Sequence, residues 1–115
     1  MQTMEIVTRP IPRERLKEMA GRMFGNLVKA VVDVERRIMA IDAGLHSDQE
    51  ALLIENGSEQ KDLWGINLYP EFEDDRFVEF DSMINLRPSD GNTSRGVDSG
   101  ETRALIAGIV KELVE

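Results

Sequence analysis

The stretch 27–41, LVKAVVDVERRIMAI, limits the fold more than any other because it sets β-branched side chains at Val28, Val31, Val32, Val34, Ile38 and Ile41. Such side chains lose rotamer freedom in a helix and pack well on a pleated surface. Leu27, Val31, Val34, Ile38 and Ile41 also fall at near-heptad spacing, so a helix is the competing reading. We read strands. The charged run Glu35, Arg36, Arg37 then becomes the turn of a hairpin, although it lacks the Asn-Gly or Asp-Gly pair that tight turns prefer.

The flanking segments build around that hairpin. Residues 4–8 alternate weakly and read as a short edge strand. Pro10 and Pro12 then lead into a helix from Arg13, with Leu16, Met19, Ala20 and Met23 on one face and Gly25 as its left-handed stop. After Gly44, Ser47 precedes Glu50 by three residues in a capping-box pattern and Asn56-Gly57 closes the segment. Residues 48–56 therefore read as a short helix, with a strand over 51–54 as the alternative. Residues 62–69 alternate Leu63, Gly65, Asn67 against Trp64, Ile66, Leu68 and stop at Pro70, a strand. Residues 77–87 alternate in the same way up to Pro88 and predict a second long strand paired with the first. Residues 89–100 are rich in Gly, Ser, Asp and Asn and form a loop, long enough for a functional role. Asp98 or Ser99 caps a closing helix, whose broad apolar face comprises Ala104, Leu105, Ile106, Ile109, Val110 and Leu113.

The expected fold is a single α+β domain over residues 1–115. It has two layers: an antiparallel or mixed sheet of about four to five strands packed by N-terminal and C-terminal amphipathic helices. If Ile66, Leu68, Phe77 and Met83 all turn away from those helices, a second copy is needed to cover them, and a homodimer is expected on that condition.

Charge and composition narrow the function classes. Fourteen basic against 22 acidic residues give a net charge of -8, which disfavours nucleic acid and anionic membrane as partners. The chain has no cysteine, which removes thiol chemistry and fits a reducing compartment. Its first residues lack a secretory apolar segment and no stretch approaches a membrane span, so a cytoplasmic location is expected.

Residues 87–96, RPSDGNTSRG, are the most suggestive stretch. Arg87 and Arg95 supply bidentate forks, Asn92 and Ser94 supply polar groups, and the glycines free backbone N–H groups to form a nest, a set suited to a small anionic ligand. No Walker or dinucleotide glycine motif is present, so no nucleotide motif is read, and any cofactor is left unknown. His46, Asp48 and Glu50, with Asp42 nearby, could in principle ligate a metal. Only His46 and Glu50 share a helical face, however, and an ordinary helix start explains the cluster, so no metal site is assigned. Trp64 beside Gly65 suggests a ring lying over backbone or ligand, or a core anchor, with Asn67 facing a satisfied hydrogen-bond site. Asp33, Glu35, Glu79 and Asp81 make an acid/base pair only if strand pairing brings two of them together.

Three functions follow from these residues. The first is a module that binds an anionic small molecule through the loop 87–96 beside His46. The second is a metal-assisted or nuclease-like hydrolase using His46 with Arg87 and Arg95, and the third is a protein-interaction subunit. Convergence of His46, Arg87 and Arg95 on one concave pocket separates the first two.

The order of AVVDVERRIMAI, LHSDQEALLIENGS, DLWGINLYP, FDSMINLRPSDGN and the closing helix resembles a small prokaryotic family known as a domain of unknown function. The likeness runs from about Leu16 to the C-terminus, with WGINLYP and INLRPSDGN its most specific pieces. It implies a bacterial or archaeal cytoplasmic protein and no particular activity.

Overall fold

The computed structural model describes residues 4–115. The elements run β1 (Glu5–Val7), α1 (Arg13–Arg22), β2 (Val28–Asp33), β3 (Ile38–Ile41), α2 (His46–Glu55), β4 (Leu63–Leu68), β5 (Val78–Glu79) and α3 (Gly100–Leu113). The strands form one antiparallel five-stranded sheet in the order β1-β3-β2-β4-β5. Among the described residues, no helix is long and apolar enough to cross a membrane.

The hairpin reading of 27–41 holds, and the turn explains how it closes without Asn-Gly. Asp33, fully buried, accepts from the backbone N–H groups of Glu35 and Arg36, each at 2.9 Å. Its other oxygen accepts from Ser58 Oγ at 2.6 Å, and Arg37 takes the left-handed conformation at φ 57. A buried carboxylate thus does locally what a tight-turn dipeptide does elsewhere.

Alternation along the strands makes two cores. Val28, Ala30, Val32, Met39, Ile41 and Ile66 face α1 and α3, whose Leu16, Met19, Ala20, Ile106 and Ile109 complete the principal core. On the opposite face, Leu53 of α2 closes a smaller core with Val31, Ile38, Ala40 and Leu63. This helix is an additional layer that periodicity did not place. It begins at His46 with Leu45 as an uncapped N-cap, so Ser47 lies inside the helix and does not cap it. Ser99 does cap α3, accepting from the N–H of Thr102 at 3.2 Å. Three expected core residues, Met23, Ala104 and Leu105, are exposed. Leu68 and Phe77 join Ile66 in the principal core, and only Met83 of the four residues invoked for a homodimer is exposed. The condition on which a second copy was expected is therefore not met.

The predicted long strand over 77–87 is corrected to two paired residues, Asn67 opposite Glu79 and Leu68 opposite Val78. The cause lies at Gly65. Ser82 sits so close over it that a Cβ on Gly65 would lie 2.5 Å from Ser82 Cβ, and the chain then enters a single 3-10 turn at Met83–Asn85. The Asn85 side chain takes over the role of a neighbouring strand. Its Oδ1 accepts from Gly65 N–H at 2.8 Å and its Nδ2 donates to Gly65 O at 2.9 Å.

This contact yields a paired prediction. Gly65→Ala forces Ser82 off the sheet and should destabilise by about 1–3 kcal/mol. Gly108→Ala, in α3 with no atom within 4 Å of the added carbon, should stabilise by about 0.5–1 kcal/mol. Urea unfolding of both variants checks the opposite signs; equal effects would show that Gly65 is not crowded.

Candidate functional site

Stopping β5 early opens a cleft of about 540 Å³ on the α2 face of the sheet. Its floor is a row across three strands, because the register sets Lys29 opposite Asn67 and Asn67 opposite Glu79. Tyr69 and Asp81 extend the floor, the start of α2 brings Leu45 and His46 over one side, and Arg95 closes the other.

The floor is ordered by hydrogen bonds. Asn67 Nδ2 donates to Glu79 Oε1 at 2.9 Å and to the Asp81 carbonyl at 3.3 Å. Both acceptors require the amide nitrogen on that side, so the orientation of the amide is chemically fixed. Its Oδ1 is buried without a hydrogen-bond partner among the described residues. The expectation that Asn67 faces a satisfied site is corrected on this point. Tyr69 OH also donates to Glu79 Oε1, at 3.1 Å, and burial first, then this bond, push the phenol above its usual 10.0. The phenol stays protonated and donates. Arg95 Nε pairs with Asp81 Oδ1 at 2.8 Å.

His46 is buried and its Nε2 lies 2.8 Å from the carbonyl of Ile66. A carbonyl only accepts, so Nε2 carries the proton and Nδ1 is left as an acceptor. One helical turn on, Gln49 Nε2 donates to the carbonyl of Lys29 at 2.7 Å, so α2 is fixed to β2 and β4 by two side chains. Burial is the largest influence on the imidazole and lowers its pKa, opposed by the bond to Ile66, while the charges of Lys29 and Arg95 add to the lowering and Asp81 resists it.

Of the residues singled out in the sequence, His46, Asn67 and Arg95 meet in this cleft. Arg87 does not join them. Its guanidinium lies 4.1 Å from the Trp64 ring centroid and donates to the carbonyls of Gln60 at 2.8 Å and Leu63 at 2.9 Å. Trp64 packs against the principal core under that arginine and is an anchor. Asn92 is buried and structural: Nδ2 donates to the carbonyls of Asn85 at 2.7 Å and Gly96 at 2.9 Å, and Oδ1 accepts from Asp98 N–H at 2.8 Å. Ser94 Oγ donates to Asp98 Oδ1 at 2.6 Å. Asn92 and Ser94 bond within the loop 87–96, Arg87 and Arg95 bond to groups outside it, and Arg87 Nε is buried without a hydrogen-bond partner among the described residues. His46, Asp48 and Glu50 do not gather: no group of three His, Cys, Asp or Glu side chains suited to a metal ion occurs among the described residues. Glu79 and Asp81 share the cleft, whereas Asp33 serves the hairpin turn.

Sequence reasoning missed Lys29, Tyr69 and the apolar collar of Phe24, Leu45 and Met83. Lys29 had a signal, as the one charge within the apolar run LVKAVV. A second cleft of about 510 Å³ lies between α3 and the segment before β5, lined by Phe77, Phe80 and Ala107 with Arg13, Arg103 and Lys111 at its edge. Among the described residues, none of its lining side chains has a buried polar atom without a partner.

A family model described as a protein of unknown function, DUF5674, matches residues 5–113. The chain belongs to this family. The match starts at β1, earlier than the point near Leu16 where the sequence resemblance began. Comparisons with curated proteins and with solved structures gave no match. Family membership therefore brings no activity with it, and the chemistry rests on the cleft's own residues.

His46 is the chain's one histidine, so its ring resonances in NMR are unambiguous. They should titrate below 6.5 in the folded protein. Because the unfolded chain then takes up the proton first, stability from this group is full above about 6.5 and declines as pH falls toward the folded value. Urea unfolding at pH 7.5 and 5.5 should show that decline, and His46→Gln should reduce it. A ring titrating at or above 6.5 would contradict the assignment.

Proposed function

We propose that the protein is a binding module for a small polar organic molecule, held in the cleft over β2, β4 and β5. The observation that carries this reading is the convergence of Lys29, His46, Asn67, Tyr69 and Glu79 on one concave cleft, with Lys29, Asn67 and Glu79 set side by side by the strand register. The volume falls within the range of small-molecule sites, and the lining combines apolar walls with a few convergent polar groups.

A binding role fits better than hydrolysis. His46 bonds to a backbone carbonyl, with no hydroxyl or carboxylate bonded to it among the described residues, so it lacks the nucleophile or orienting acid of a catalytic pair. Arg87 stands outside the cleft on Trp64, which weakens the phosphate-directed alternative. An anionic group on the ligand finds Lys29 on the floor instead of the loop 87–96. The cysteine-free sequence fits action in a reducing cytoplasm.

A thermal-shift screen of polar metabolites tests this reading, followed by NMR mapping of each hit. At a concentration of 100 times Kd a true ligand adds about 2.7 kcal/mol and should raise Tm by on the order of 10 °C. Its perturbed resonances should centre on Lys29, His46, Asn67 and Glu79, and Asn67→Leu should abolish the shift. Hits that map to residues 87–94 or to the second cleft, and not to Lys29, His46, Asn67 and Glu79, would overturn the reading.

A further inference from the structure

The row across the cleft floor carries a charge pattern that specifies the ligand further, and this step rests on the cleft being the binding site. Lys29, Asn67 and Glu79 stand on three adjacent strands as a cation, a neutral acceptor and an anion. Neighbouring strands are about 4.8 Å apart, so the backbones bearing the two charges are roughly 10 Å apart. Among the described residues Lys29 and Glu79 form no ion pair with each other or with any other side chain. Lys29 Nζ lies 5.4 Å from the centroid of the Phe24 ring. Glu79 is bonded by two neutral donors, the Asn67 amide and the Tyr69 phenol, both on Oε1. The other charges of the cleft, Arg95 and Asp81, neutralise one another at 2.8 Å. Two opposite charges therefore face one cavity without a countercharge.

We infer that the ligand is a zwitterion with an apolar substituent, of the class of free apolar α-amino acids. Its carboxylate meets Lys29 and its ammonium meets Glu79. The ammonium has three N–H donors, and the cleft residues leave acceptors open among the described residues: the second oxygen of Glu79 and the Nδ1 of His46. A simple amine would leave Lys29 unanswered, and a simple acid would leave Glu79 unanswered. The collar decides the substituent. Phe24, Leu45 and Met83 are 42%, 56% and 62% exposed around the mouth, so an aliphatic or aromatic side chain is covered there while a polar one loses water without gaining a partner.

The test is isothermal titration of the full chain at millimolar probe, with NMR mapping, using L-leucine, L-phenylalanine, L-serine, N-acetyl-L-leucine and L-leucinamide. Leucine and phenylalanine should bind and perturb Lys29, Asn67 and Glu79, with serine, the acetylated probe and the amide each at least about 10-fold weaker, a tenfold being 1.4 kcal/mol. Lys29→Met should weaken leucine to the level of leucinamide while leaving leucinamide unchanged. Glu79→Gln, which keeps an acceptor for Asn67 and Tyr69, should weaken leucine while leaving the acetylated probe unchanged. A merely structural role for either residue would weaken every probe alike and would overturn the inference, as would acetylated or amidated probes binding as well as leucine. If no amino acid binds but another polar metabolite maps to the cleft, the ligand class is wrong and the site stands. If nothing maps to the cleft, both fail.

Discussion

The edge of a sheet has to be hydrogen-bonded, and here the outer edge of β4 is finished by the side-chain amide of Asn85 where a strand would otherwise lie. The rest of the α2 face follows from that substitution. With Ser82 pressed onto Gly65, the chain cannot continue as β5 and turns away across the sheet. Asn85 Nδ2 also bonds the carbonyl of Arg95, so the same amide sets the wall from which the arginine reaches Asp81. One asparagine thus couples the end of a strand, the course of a loop and the shape of a cleft.

That geometry leaves a floor whose polarity the fold itself does not need. The principal core is complete beneath α1 and α3, and the smaller core beneath Leu53 closes β2, β3 and the start of β4. Lys29, Asn67 and Glu79 sit beyond both, at the far end of the same strands. Glu79 is held by the neutral donors of Asn67 and Tyr69 without loss of its charge, and Lys29 Nζ lies 5.4 Å from the Phe24 ring centroid. A side chain kept in position while its charge or acceptor stays open is what pre-organised recognition requires, because the ligand then meets no ordering cost at the protein.

Much of the architecture was legible in the letters. β-branched density decided the hairpin at 27–41, and Ser99 with the apolar positions after it located α3. The long strand over 77–87 was not, because its alternating pattern is genuine and the obstacle to pairing is a contact with Gly65, some twenty residues away. The site was half legible for the same reason. His46, Asn67 and Arg95 stand out by type, but Arg87 and Asn92 look equally polar in sequence and prove to be bound to Trp64 and to loop carbonyls. Lys29 could be recognised only once the register set it opposite Asn67 and Asn67 opposite Glu79. Polarity is written in the sequence; whether a polar group is already satisfied is not.

The central claim is that Lys29, Asn67 and Glu79 form the ordered floor of an open cleft. A crystal structure of the ligand-free protein at a resolution that reveals ordered solvent addresses it directly. The account predicts an open cleft with ordered water or solute beside Lys29 and Glu79, and with Asn67 Nδ2 still on Glu79 and the Asp81 carbonyl. An amide turned so that Oδ1 takes a hydrogen from the protein, over a cleft collapsed between α2 and Arg95, would contradict it.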